Sequence, residues 1–235
     1  MNRNIVNIAS LLLTLLIILT GCAKTTSLEG KVVDGKGKPM AGVKMIARLL
    51  KPSKGHEQLE TTTDTNGNFR FENLLPASEY EIVPLLSDTR VNAKRTIKGP
   101  PKGEAKILDT PLMIRLFLKN NVVTDTKTDL MWAARDNGAD INWSDAEAYC
   151  SNYEGGGFSD WRMPTQDELA ELYEAGINGK ENPFIEFTAC CPWASETHGN
   201  KASGFNFFYT NGRRFNFYKD HSADYPRALP VRNDN

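Results

Sequence analysis

The 235 residues suffice for one large domain or two small ones, and 24% charged with 40% hydrophobic side chains is the balance of a folded globular chain rather than a disordered one. Formal net charge is −1, divided unevenly: residues 23–110 carry 15 basic and 11 acidic side chains, residues 111–235 carry 12 and 18. No segment concentrates a strong basic face, which argues against nucleic acid as a partner.

The N-terminus reads as a targeting segment. Arg3 stands beside the free amino terminus, and Ile8 to Thr20 is almost wholly apolar. That run is shorter than the ~20 residues a spanning helix needs. It ends in Leu19-Thr20-Gly21-Cys22, which resembles the lipobox of bacterial lipoproteins. The resemblance implies that residues 1–22 are a lipoprotein signal peptide and that Cys22 carries palmitate-type acyl chains after cleavage. Several chains anchor a protein stably where one is marginal. Ala23 stands where an aspartate would imply retention at the inner membrane. The expectation is a cell-envelope protein held at the outer membrane by its lipid, in an oxidising compartment.

Three further cysteines, Cys150, Cys190 and Cys191, leave room for one disulfide and one spare thiol. Neighbouring Cα atoms lie ~3.8 Å apart, below the usual range for a bridge, so a bond from Cys150 to Cys190 or Cys191 is preferred over pairing of the neighbours. No His or Cys stands at the paired spacing of a zinc site, and no metal is expected.

Residues 23–27 form a polar tether. Leu28–Val33 and Val43–Leu50 read as strands around the turn-forming run Asp34–Pro39. Leu59–Thr63 leads into Asn66-Gly67, a strong hairpin signal, with Phe69 and Phe71 alternating on the return; Tyr80, Ile82 and Pro84 mark another strand. Short strands at this spacing, with no helical stretch, predict a small β-sandwich. Gly30–Asp34, Pro39–Val43, Thr63–Phe71 and Leu74 with Pro76 resemble the carboxypeptidase regulatory-like fold, a transthyretin-like module. Over residues 28–110 the resemblance implies a spacer or interaction module without catalytic residues. Asp64 and Asn66 are read as turn chemistry rather than calcium ligands.

Residues 111–235 form the second predicted domain. Leu130-Met131-Trp132 starts a strand, and Ser144 with Glu147 reads as a capping box opening a helix that carries Ala146, Tyr149 and Cys150. Gly157-Phe158-Ser159-Asp160-Trp161-Arg162-Met163-Pro164-Thr165 follows. Pro164 keeps Met163 out of the helical region, Thr165 is the N-cap, and Glu168 completes a capping box before Leu169 and Leu172. Asp160, Trp161, Arg162 and Pro164 read as a structural junction, with Trp161 in the core and Arg162 paired to a carboxylate. Asn211-Gly212 lies between the aromatic strands Phe205–Tyr209 and Arg214–Tyr218. Val123–Trp132, Ser144–Cys150, Gly157–Leu169, Trp193–Thr197 (with Ala194 in place of a usual serine) and Arg227–Arg232 together resemble the Lcl C-terminal domain family. That resemblance implies a C-type-lectin-like fold, two helices on an antiparallel sheet, and a glycan-binding or adhesive role. The whole chain is thus expected to be mostly β, with an α+β C-terminal part.

Chemistry is sparse. No Gly-x-Ser-x-Gly, His-Glu-x-x-His or phosphate loop occurs, and His56, His198 and His221 stand in no motif. Glu168 and Glu171 are read as charge on an exposed helix face. Neither an enzyme nor a cofactor is expected. Glu181-Asn182-Pro183 has the letters of a calcium-lectin motif in the wrong order. A calcium-free surface remains: residues 197–235 carry 6 basic and 3 acidic side chains against 6 and 15 for 111–196. Tyr209, Arg213, Arg214 and Tyr218 near the Asn-Gly turn are the candidate ligand residues, for a glycan or a cell-envelope protein. The competing reading is that these aromatics are core and the arginines ordinary turn residues.

Overall fold

The computed structural model describes residues 25–55, 57–223 and 226–234; the expected signal segment, Cys22 and His56 lie outside them. No helix among the described residues is long and apolar enough to cross a membrane.

The N-terminal half is two sheets closed on one core. In the first, β1 (Ser27–Asp34) pairs antiparallel with β4 (Asn68–Phe71) and parallel with β8 (Ala105–Ile107) and β9 (Leu112–Ile114). β8 and β9 are two parts of one interrupted strand: Ser27 faces Ala105 but Val32 faces Leu112, so the register slips by two residues across Leu108–Pro111. The second sheet runs β3 (Gln58–Thr62), β2 (Lys44–Leu49), β5 (Glu79–Leu85), β7 (Arg95–Lys98). Leu28, Val32, Phe69, Phe71, Leu112 and Ile114 of the first sheet meet Met45, Ala47, Tyr80, Ile82 and Ile97 of the second. Gly30 is needed where it stands, because a Cβ there would come 2.6 Å from the Phe69 ring.

The Asn66-Gly67 turn does not close a hairpin. β3 and β4, on its two sides, belong to different sheets, so the turn is a corner of the sandwich. Asp64 Oδ1 accepts the N–H groups of Asn66 and Asn68, at 2.9 and 2.8 Å. Gly67, at φ 75°, has its carbonyl against the Val32 N–H at 2.8 Å. Long-range docking onto β1 thus overrides the local preference for a two-strand ribbon.

β9 carries the sandwich to Ile114, past the boundary at 110 read from the sequence. Its Leu112 and Ile114 are core residues, which the linker-like Lys98–Gly103 run conceals. Conversely β6 (Arg90–Val91), from the sandwich half, pairs with β10 (Leu116–Lys119) of the C-terminal half. The halves are joined again where the Gly35 N–H donates to Thr126 Oγ1 at 2.7 Å and Lys36 pairs with Asp129.

The C-terminal half holds two further sheets. One runs β17 (Val231–Asn233), β12 (Leu130–Ala133), β11 (Val122–Asp125), β10, β6. The other runs β15 (Arg213–Tyr218), β14 (Lys201–Asn206), β13 (Cys191–His198), β16 (Pro226–Arg227), the last pair being parallel. Helices α1 (Trp143–Ser151) and α2 (Gln166–Glu174) pack on β13, and α2 also on β14. Trp132, Leu169, Leu172, Phe205, Phe207 and Leu229 form the larger core, and Ala146, Cys150, Met163, Trp193 and Ala202 a smaller one under α1.

The cap of α1 differs from the sequence reading. Asn142, not Ser144, is the N-cap, its side-chain oxygen accepting the Asp145 N–H at 2.9 Å. The helix begins earlier because the Trp143 N–H is already engaged by the Lys219 carbonyl, and the Trp143 indole donates to the Ala194 carbonyl at 2.8 Å. The aromatic hairpin also differs in extent: β14 starts at Lys201, and its partner β15 begins at Arg213. Phe207 to Gly212 form the loop, with Phe207 fully buried.

Candidate functional site

The Asp160–Thr165 run joins α2 to the closing strand. Thr165 caps α2 and Glu168 caps back: the Glu168 N–H donates to Thr165 Oγ1 at 3.1 Å, and the Thr165 N–H donates to Glu168 Oε2 at 2.8 Å. Arg162 grips the same carboxylate through both terminal nitrogens, at 2.8 and 2.6 Å. Burial by itself would raise the Glu168 pKa, but Arg162 and the Thr165 N–H outweigh it and hold the group below its ordinary value. Trp161 is buried, its indole N–H 3.1 Å from the Gly155 and Phe158 carbonyls, and Tyr153 meets its ring edge-on at 5.1 Å. Arg162 exchanges two backbone hydrogen bonds with Val231, at 2.9 and 3.0 Å. Asp160 takes Arg232 at 2.6 and 3.1 Å, and this lowers its pKa. Pro164 is buried beside the cap, its carbonyl accepting the Ser195 N–H at 2.9 Å. The side chains of Asp160, Trp161, Arg162 and Thr165 are thus all engaged within the fold.

Other charged groups are spent in the same way. Asp125, 1% exposed, holds Arg115 through two bonds at 2.9 and 2.7 Å. Arg227 reaches Asp140 and, at 2.7 Å, Thr188 Oγ1, which donates to Asp136 at 2.8 Å. Buried charges need such partners. Glu168 and Glu171 are not free solvent charge either: Glu171 pairs with Lys127 at 3.1 Å and Arg115 at 3.5 Å. The Asn182 side chain bonds the backbone of Gly179, Phe184 and Ile185, which is local turn chemistry. Among the described residues no group of three His, Cys, Asp or Glu side chains is placed to hold a metal ion.

The cysteines pair otherwise than the sequence reading expects. Cys190 and Cys191 are bonded to each other, and Cys150 is free. The reason is placement: Cys150 sits on α1 in the smaller core, packed with Ala146, Met163 and Trp193, while Cys190 and Cys191 lead into β13. Burial pushes the Cys150 thiol up to about 12.

Three of the four candidate ligand residues, Tyr209, Arg213 and Arg214, border one cleft, and Tyr218 stands apart from it. Along β15, Arg213, Phe215 and Phe217 alternate on one face and Arg214, Asn216 and Tyr218 on the other. Arg214 is turned to α2, pairing with Asp167 at 2.6 Å, and Tyr218 lies under Lys201 at 5.1 Å. Arg213 lies over Tyr209, at 5.7 Å from the ring centre, and unlike Arg214 has no carboxylate partner among the described residues. Tyr209 and Tyr218 are each 54% exposed.

The Arg213 face continues into a row of rings: Phe215 and Phe217 stack at 4.5 Å, both meet the edge of buried Trp193, and His221 lies 4.9 Å from Phe217. A cleft of about 360 Å³ at this end of β15 is lined by Cys191, Asn206, Tyr209, Arg213 and Phe217, and Arg214 also borders it. Beside it a cleft of about 530 Å³ is lined by Lys180, Thr188, Cys190, Asn206, Phe208 and Tyr209. Lys180 lies over the Phe208 ring at 5.6 Å. The two clefts share Asn206 and Tyr209, and the disulfide contributes one sulfur residue to each. Tyr173 of α2 fixes the intervening loop, its hydroxyl shared between the Tyr209 and Thr210 carbonyls at 2.9 and 2.7 Å. Lys180 and Asn206 were not singled out from the sequence, whereas Phe208 and Tyr209 belong to the aromatic run that marked this place.

A chain built of two β-rich halves, the second carrying two capped helices, is the class of protein this architecture defines. Residues 121–232 match the model of the Lcl C-terminal domain family. No curated protein matches the chain. Among solved structures, the full-length major pilin SpaD from Corynebacterium diphtheriae matches over 89% of this chain and 56% of its own length, at 12% identity and a TM-score of 0.31. A TM-score that low does not establish a shared fold.

Proposed function

We propose that this is a lipid-anchored cell-envelope binding protein that presents a C-type-lectin-like domain on a transthyretin-like sandwich and holds an anionic glycan without calcium. One observation carries the reading. Arg213 is exposed, lies over Tyr209 with no carboxylate partner among the described residues, and continues into the ring row of Phe215 and Phe217. Exposed aromatic faces suit sugar rings, and an unpaired guanidinium suits a carboxylate or sulfate. The reading is of a binding protein rather than an enzyme. The bonded Cys190–Cys191 pair, the buried Cys150 and the engaged carboxylates Glu168 and Glu171 support that. Attachment through Cys22 to the outer membrane belongs to the same proposal and rests on the Leu19–Cys22 sequence.

The test is a glycan array probed with the protein at two stated salt concentrations, beside Arg213→Ala and Arg214→Ala. The expected outcome is binding to acidic glycans that weakens with salt and falls about tenfold in Arg213→Ala, a loss of ~1.4 kcal/mol. Arg214→Ala should retain it. Absence of any glycan signal sinks the reading and favours an assembly lipoprotein that makes protein contacts only. A Cys22→Ala protein that still fractionates with membranes in the usual way would overturn the anchor.

A further inference from the structure

A disulfide between sequence neighbours does nothing for a fold in the usual way. Bridges stabilise chiefly by closing a loop of the unfolded chain, and a bond between adjacent residues closes essentially none. Cys190 and Cys191 have Cα atoms 3.7 Å apart, as their shared peptide dictates, below the ~4.4 Å at which ordinary bridges begin. Bridges held outside that range are the more readily reduced. Other contacts already secure this region: β13 pairs with β14 and β16, and its Trp193 is fully buried. The bond therefore acts locally, at the junction of the two clefts.

The local consequence is legible in the backbone. The Cys190 carbonyl accepts the Phe207 N–H at 2.9 Å, and Phe207 begins the loop that presents Phe208 and Tyr209. Closing a ring through both side chains and the intervening peptide fixes the direction of that carbonyl. Opening the ring frees the peptide to rotate and loosens the Phe207 end of the loop, while the Tyr173 hydroxyl still holds its far end at Tyr209 and Thr210. Cys190 is half-buried and lines the larger cleft, so a reductant can reach it, whereas Cys191 is 5% exposed.

We propose that the Cys190–Cys191 disulfide is a redox switch on this ligand surface: closed, it holds Phe208, Tyr209 and Arg213 in the binding arrangement, and opened by a dithiol it releases them. The proposal rests on the reading of the β14–β15 face as the ligand surface. A reductant thiolate attacks Cys190 Sγ, the S–S bond breaks, and its electron pair passes to Cys191 Sγ, which takes up a proton. The second reductant thiolate then attacks the mixed disulfide. Cys190 leaves as a thiolate and is protonated, and the reductant departs as its cyclic disulfide. Two electrons and two protons reach the protein.

The experiment equilibrates the folded full chain in graded dithiol redox buffers and traps free thiols by alkylation. Alkylated sites, amide exchange and binding of a short heparin fragment are then measured together. Cys190 and Cys191 should be modified while Cys150 is not. Exchange at Phe207–Tyr209 should rise about tenfold as the local support is lost. Probe affinity should fall about fivefold. Cys190→Ser/Cys191→Ser should reproduce both changes without reductant. Resistance of the bond until global unfolding overturns the switch, as does reduction that leaves exchange unchanged. Unchanged exchange in a double serine variant that folds also overturns it. If the oxidised protein ignores the probe, the glycan reading falls alone, and the exchange data decide the switch. If the oxidised protein binds and the reduced protein binds equally, the switch falls alone.

Discussion

Replacing Glu168 with alanine removes three hydrogen bonds at one carboxylate: two from Arg162, at 2.8 and 2.6 Å, and one from the Thr165 N–H at 2.8 Å. A charge-assisted pair of this geometry is worth ~1.5–3 kcal/mol when desolvated. The Arg162 side chain is 41% exposed and Glu168 20%, so water recovers part of that, and about 1 kcal/mol is retained for the pair. Losing the capping bond costs about 0.5–1 kcal/mol, and losing a negative charge in the first helical turn a further ~0.3–1. Alanine returns a few tenths through helix propensity, leaving about 2 kcal/mol of destabilisation. All four tryptophans, Trp132, Trp143, Trp161 and Trp193, lie in the C-terminal half, so their fluorescence reports its urea unfolding directly. The midpoint should fall by about 1 M at an unchanged slope. Arg162→Met/Glu168→Ala should be less destabilised than the sum of the single variants by about 1 kcal/mol. A loss in Glu168→Ala below about 0.5 kcal/mol, or strict additivity in the cycle, would refute the account of this junction.

Three further outcomes are expected. Glu168 titrates below its ordinary value of 4.5, so its contribution is fully present above that pH and lost as pH falls through the lower folded value; urea midpoints of Glu168→Gln should therefore fall less between about pH 5 and 3 than those of the parent protein. Gly204→Ala places a Cβ 2.1 Å from the Phe215 ring and 2.8 Å from the Pro192 carbonyl, and the backbone contact cannot turn away. The variant should lose about 2–3 kcal/mol, with only part recovered by trimming Phe215 to alanine, and calorimetry reads both. Cys150, with no exposed surface and its thiol pushed up to about 12, should resist iodoacetamide at neutral pH in the folded protein and react on unfolding; labelling at the rate of a free thiol would contradict its burial.

Features decided within a few residues were legible in the chain itself. The Thr165–Glu168 capping box, the start of α2 after Pro164 and the Asp64 turn each satisfy backbone groups from side chains two to four positions away. Such bonds depend on local spacing, which is written in the order of residues. The same holds for the run Asp160–Thr165 and the other motifs within residues 121–232, the stretch that matches a family. Tyr80, Ile82 and Pro84, which marked a strand in the sequence, are the buried residues of β5.

Other features waited for tertiary structure, because their partners stand far apart in the chain. Asn66-Gly67 has the letters of a hairpin but turns a corner between sheets, since β4 finds β1 rather than β3. The linker-like run before Leu112 hides a strand that closes the sandwich by pairing in parallel with β1. Cys150 was the preferred bridge partner, but it stands free in the core under α1 while Cys190 and Cys191 bond to each other. Arg213 and Arg214 are neighbours whose fates differ through the two-residue alternation of β15 and the position of α2. Sequence alone determined the start of α2 and the Asp64 turn, through hydrogen bonds made close by. Only the packing of those elements decided which side chains were spent holding it together and which were left facing solvent.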